Sequence, residues 1–380
     1  MKKLLICIIL LVMLSCLSPV CYAVESTNNN VNDTFDLDGI YNNLSGGLDE
    51  DTKDILNQIG VTPDILNSKD INFYDLIGIL KNIFIKNLSA PLSGFATITG
   101  IILIFAIFDV FRDGATSTTM QNTMQILIVL AITFILVIPI TDFITQTINT
   151  INTSAKFMLI YIPIICTIMV ASGSILTSGS YYALMMFACE GMSQLCSNVI
   201  APMLNIFFGV SITSAICPTF KLGGICKVIN NIIKWLLGFG MSIFSAMLTF
   251  KTIINTMADS VSTRAIRFSI SSFIPIVGSS LSEAYRTVHS SINILKSGVG
   301  VFSIIAIIVV FLPIIIKGLL WILSINLCKS VAQILSSNIS CEVLEISATV
   351  ISTTLVIVAC VIALFIISTS ILILSGGGAN

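Results

Sequence analysis

One acid stands well inside an apolar run: Glu190, in FACEGMSQLC. An ionisable group in hydrocarbon is costly and usually faces a bundle interior or water. Two readings follow. Glu190 lines a path for a polar solute or ion, or it joins Ser193 and Gln194 in a hydrogen-bonded seam between helices. A second concentration of charge lies in RAIRFSISSFIPIVGSSLSEAYRTVHSSINILKSGVG, residues 264–300. There Arg264, Arg267, Glu283, Arg286 and Lys296 accompany the single histidine, His289, while Pro275 and Gly278 interrupt the middle. These eight residues, His289 apart and Glu190 included, are the candidate conduit or partner-contact positions.

Other chemistries find less support. The eleven cysteines are scattered, most within or beside apolar runs, and none forms a C-x-x-C pair. With one histidine there is no zinc spacing, so they read as small apolar packing residues. Ser174, Ser178 and Ser180 cluster around Gly173 and Gly179 with no histidine to act as base. No P-loop, G-x-S-x-G or H-E-x-x-H motif is present, so neither a catalytic residue, a cofactor nor a metal is expected. Asp109, Arg112 and Asp113 read as a solvated loop, and Lys251 as a headgroup-seeking side chain. Lys317 follows Pro313 in VVFLPIIIKGLLWIL, where a kinked span can change from crossing to surface.

The elements that carry these residues are set by composition. Of 380 residues, 56% are hydrophobic and 10% charged, with a mean hydropathy of +1.02. Soluble domains carry about 25% charged residues, so this is an integral membrane protein. A net charge of −1 offers no basic footprint for nucleic acid. Apolar runs near the ~20 residues needed to cross a bilayer fall at roughly 92–111, 123–141, 157–177, 181–200, 202–217, 235–255, 299–316 and 346–374. The fold class is therefore all-α, a polytopic transmembrane bundle of about seven spans, within a range of six to eight. Ala201-Pro202 makes the fourth and fifth runs either two spans with a tight turn or one long broken helix, and orientation beyond about residue 200 stays open. Lysine and arginine mark both flanking loops and do not decide it.

Outside those runs, residues 1–23 have the charged start, apolar middle and Cys21-Tyr22-Ala23 end of a signal peptide, either cleaved or kept as an anchor. Residues 24–91 form an acidic extracytoplasmic segment with eleven Asp/Glu against four Lys. It begins as a polar linker with nothing to bury. Helices follow from about Leu48 to a stop at Gly60, from a Thr62-Pro63 cap, and from Asn72 to Leu88. Membrane spans occupy 92–255 and 299–374, and 375–380 is a flexible tail. Between the spans, 256–298 reads as an amphipathic hairpin. Ile266, Ile270 and Phe273 form one stripe, Pro275 ends that helix, and Ser280 to Glu283 is a capping box. Leu281, Tyr285, Val288, Ile292 and Leu295 then form a second stripe. The hairpin is either interfacial or re-entrant within the bundle.

This hairpin also carries a resemblance. It is similar to the signature region of the stage III sporulation protein AE family, of the form FIPVVGGxLSEAxDTV…KNxVG. The matching positions are Phe273, Pro275, Gly278, Leu281, Ser282, Glu283, Val288, Lys296, Val299 and Gly300. Ser279 departs from a usual second glycine and Arg286 from a usual acid. The resemblance implies a non-enzymatic membrane subunit of the channel or secretion-like complex that joins mother cell and forespore. It would act in the mother cell, in the membrane surrounding the forespore, and be needed for late forespore gene expression. Implied partners are the other stage III sporulation A proteins, among them a secretion-type ATPase and ring-forming members, and indirectly the forespore stage II protein Q. The rival from the residues alone is a stand-alone secondary transporter using Glu190 and the broken hairpin.

Overall fold

A computed structural model describes residues 37–59, 73–112, 118–216, 223–273, 278–335 and 338–374. The expected signal peptide, the cap at Thr62-Pro63, the Ile274-Pro275-Ile276-Val277 break and the C-terminal tail lie outside them. Among the described residues all regular structure is helical. Two short helices, α1 (Leu37–Ser45) and α2 (Glu50–Ile59), precede α3 (Phe73–Arg112) and α4 (Thr118–Ala171). Then come α5 (Ile175–Leu195), a π turn at Cys196–Ile200, α6 (Ala201–Ile216), α7 (Gly223–Phe273), α8 (Gly278–Ile334) and α9 (Asn338–Leu374). Six stretches are long and apolar enough to cross a membrane. The protein is an all-α polytopic bundle at the lower bound of the expected range.

Two mergers account for that count. The runs 123–141 and 157–177 belong largely to the single helix α4, 54 residues long, about 80 Å against ~30 Å of hydrocarbon. Its polar middle, Thr141 to Lys156, contains neither glycine nor proline. The hydroxyls there bond back to the preceding turn: Thr141 to Val137 O at 2.8 Å, Thr145 to Thr141 O at 3.0 Å and Thr147 to Phe143 O at 2.8 Å. Each is satisfied without leaving the helix. The second merger runs through Pro202, which has no N–H to give and whose ring crowds the carbonyl one turn back. The π turn just before it widens the helix by one residue, with the Ala201 N–H donating to Cys196 O; such single-turn insertions absorb this kind of crowding.

The N-terminal segment also differs from expectation. Helix α1 lies where a polar linker was anticipated: Leu44 is fully buried, and one apolar residue per turn among asparagines was too sparse a stripe to read. Gly47 seats this segment on α4, since a Cβ there would fall 2.8 Å from Ile160 Cδ1. Helix α2 appears as anticipated. The expected 72–88 helix begins at Phe73 but runs on through Pro91 to Arg112. The arms of the 256–298 hairpin are likewise the ends of α7 and α8 rather than short helices of their own.

Helix α8 is the centre of the bundle, packed on α3, α4, α7 and α9. It runs antiparallel to α9, with Gly300 beside Ile373, Gly318 beside Leu355, and Lys329 paired with Glu345 at 2.8 Å. Ser324 Oγ donates to Pro91 O at 2.8 Å, tying α8 to α3. Large apolar side chains are exposed on several helices, among them Leu103, Ile104 and Ile107 of α3, Leu130 and Phe134 of α4, and Leu319, Leu323 and Leu327 of α8.

Candidate functional site

Polar groups gather at two levels of the α4–α5–α7 assembly. The first is the seam between α4 and the α5–π junction. Asn152 Oδ1 accepts from Ser193 Oγ at 2.7 Å and from Ser197 Oγ at 3.3 Å. Beside it an outward-facing ladder climbs the helix: Gln194 Nε2 donates to Glu190 Oε1 at 2.9 Å, and Asn198 Nδ2 donates to Gln194 Oε1 at 2.6 Å. Glu190 is exposed, with Gln194 as its hydrogen-bond partner. Ser193 faces α4 instead, so the seam anticipated around Glu190 is built by its neighbours.

The second level is the turn that opens α5. Gly173 has φ 81°, the left-handed region open to glycine without a Cβ penalty. Ser174, at the N-cap, makes no side-chain capping bond. Asp259 of α7 supplies the cap across the bundle: Leu176 N–H donates to Oδ1 at 3.1 Å and Thr177 N–H to Oδ2 at 3.0 Å. The carboxylate is 7% exposed and meets free amides and the positive end of the helix dipole together. One turn back on α7, Asn255 Nδ2 donates to Ser180 Oγ at 2.6 Å. Ser178 Oγ donates to Cys166 O at 2.9 Å, closing the turn onto α4.

Sequence reasoning did not single out Asp259. Its signal was present but faint. Asn255 and Asp259 are four apart, hence on one face of a largely apolar helix, and the start of α5 had only Ser174 as a local cap.

The other candidates divide. Lys296 is 1% exposed in α8, and with Asp259 it completes the buried charged residues among those described. Arg264 is exposed near the end of α7. Gly278 opens α8, two residues before the anticipated Ser280 cap. Arg267, Glu283 and Arg286 lie in helices, their side chains outside the description, and Pro275 lies outside it altogether. His289 shares a 3.1 Å hydrogen bond with Asn293. Because α5 and α7 run antiparallel through Leu176 and Asp259, Glu190 and Arg264 lie in opposite directions from that contact. Glu190 is about 20 Å along the helix from Leu176. Glu190 and Arg264 are not brought to one place.

Six long apolar stretches, large apolar side chains exposed on them and polar groups engaged between helices define a polytopic helical membrane protein. This chain belongs to the stage III sporulation protein AE family, whose profile matches residues 60–376. It is 23% identical over 154 residues to the stage III sporulation protein AE of Bacillus subtilis (strain 168), an alignment covering 40% of this chain and 39% of that protein. The match thus spans about two-fifths of the relative's length. No solved structure matches the chain.

Proposed function

We propose that this chain is a non-enzymatic membrane subunit of the channel or secretion-like complex between mother cell and forespore, needed for late forespore gene expression. It sits in the mother-cell membrane that surrounds the forespore. It works there with the other stage III sporulation A proteins, including the secretion-type ATPase and the ring-forming members, and indirectly with the forespore stage II protein Q. The observation that carries this reading is the family match over 60–376, which takes in all six candidate spans. The rival, a stand-alone transporter built on Glu190 and the broken hairpin, draws no support from Glu190 and Arg264, which lie in opposite directions from the Leu176–Asp259 contact.

Deletion of the gene in its endospore-forming host tests the proposal. Completed engulfment followed by a silent late-forespore reporter and a collapsing forespore is the expected result. Normal spores would overturn it.

A further inference from the structure

On the face of the bundle formed by α2, α3, α4 and α8 lies a cleft of about 310 Å³, within the size range of small-molecule sites. Its polar walls come from four elements far apart in sequence: Asp49, Asn87, Gln146, Asn149, Thr150 and Lys317. Helix α8 adds an apolar side through Val310, Pro313 and Ile314. Pro313 withholds the N–H that would satisfy the Val309 carbonyl in the same stretch of helix. This is the Pro313 to Lys317 segment that already stood out in the sequence.

The charges lining the cleft are one cation and one anion. Lys317 Nζ donates to Gln146 Oε1 at 2.6 Å, and an ammonium has three protons to give. Asp49 closes the start of α2, where it accepts from the Thr52 hydroxyl at one oxygen, Oδ1. A carboxylate offers about four acceptor sites, so Oδ2 keeps capacity for a donor. The Asn149 amide makes no hydrogen bond among the described residues and faces the cleft with both a donor and an acceptor. A multiply charged anion would meet Asp49, and a metal cation would meet Lys317. A ligand bearing both charges on a small polar frame meets neither objection.

We propose that this cleft binds a small zwitterion of amino-acid size, its carboxylate held by Lys317 and its ammonium by Asp49. The amides and hydroxyls of α3 and α4 orient the remainder. The α1–α2 segment forms one wall, pinned to α4 at Gly47, where a Cβ would stand 3.1 Å from Phe157 Cα. The proposal is independent of the sporulation role.

The test is equilibrium binding of radiolabelled alanine to the full chain in nanodiscs, with acetate and ethylamine as single-charge competitors. Expected are saturable alanine binding and competition by each single-charge compound weaker by at least about tenfold, the scale of one charge-assisted hydrogen bond. Lys317→Gln and Asp49→Asn should each cost a similar factor. Absence of saturable alanine binding overturns the proposal. So does acetate binding as tightly as alanine, or alanine binding unchanged in both variants. Should Asp49→Asn unfold the short α2 helix, the wild-type ranking of the three compounds still decides.

Discussion

The Asp259 carboxylate accepts the Thr177 backbone N–H at 3.0 Å, so the helix that begins at Ile175 is closed by a residue of α7 rather than by its own N-cap. Removing that carboxylate leaves two amides of a partly buried helix end without a partner. Asp259→Ala should destabilise the bundle by about 1–2 kcal/mol, the range for lost caps, and Asp259→Asn by less, because its carbonyl still accepts one bond. Thermal unfolding of the purified protein in detergent reads the difference. Equal melting temperatures for wild type and Asp259→Ala would refute the cap.

Helix α8 approaches its neighbours most closely at glycines. A Cβ at Gly318 would fall 2.8 Å from both Leu355 Cδ2 and Phe143 Cζ, whereas one at Gly238 meets nothing within 4 Å. Gly318→Val should therefore cost about 1–3 kcal/mol through overpacking, and Gly238→Ala should cost nothing measurable. Paired melting curves test the contrast. A tolerant Gly318 would mean that α8 and α9 can separate without loss.

The seam between α4 and α5 makes a smaller claim. Asn152 accepts from both Ser193 and Ser197, and hydrogen bonds between membrane helices average about 0.6 kcal/mol. A double-mutant cycle of Asn152→Ala with Ser193→Ala should return a coupling of that order. Additive losses would mean that the two side chains do not cooperate.

What the sequence made legible was the lipid-soluble character, the helical class and the family. Each rests on a signal spread over many residues. Less legible was where helices end. Pro202 reads as a possible break, yet the chain stays helical through it by way of the π turn, and the polar run 141–156 reads as a loop until its threonines are seen to bond backwards. Pairings between distant residues were hidden for a simpler reason. Nothing near Asp259 in sequence marks Thr177 as its partner, 82 residues away. Leu44 shows the same limit, buried in the core from a segment whose composition looks solvated.

Glu190 separates a structural role from a conducting one. Its Oε1 accepts from Gln194, which in turn accepts from Asn198, and a neutral amide can accept the first of these bonds as well as a carboxylate can. Under the channel-subunit reading, Glu190→Gln should leave complex assembly and spore counts at wild-type level. Glu190→Leu removes the acceptor, and any fall in spores should then track a fall in co-purification of the partner subunits. The two readouts, heat-resistant spores and affinity pull-down from sporulating cells, are taken on the same cultures. If Glu190→Gln abolished spores while the complex stayed intact, the charge itself would be at work, and Glu190 would belong to a path for solute or ions.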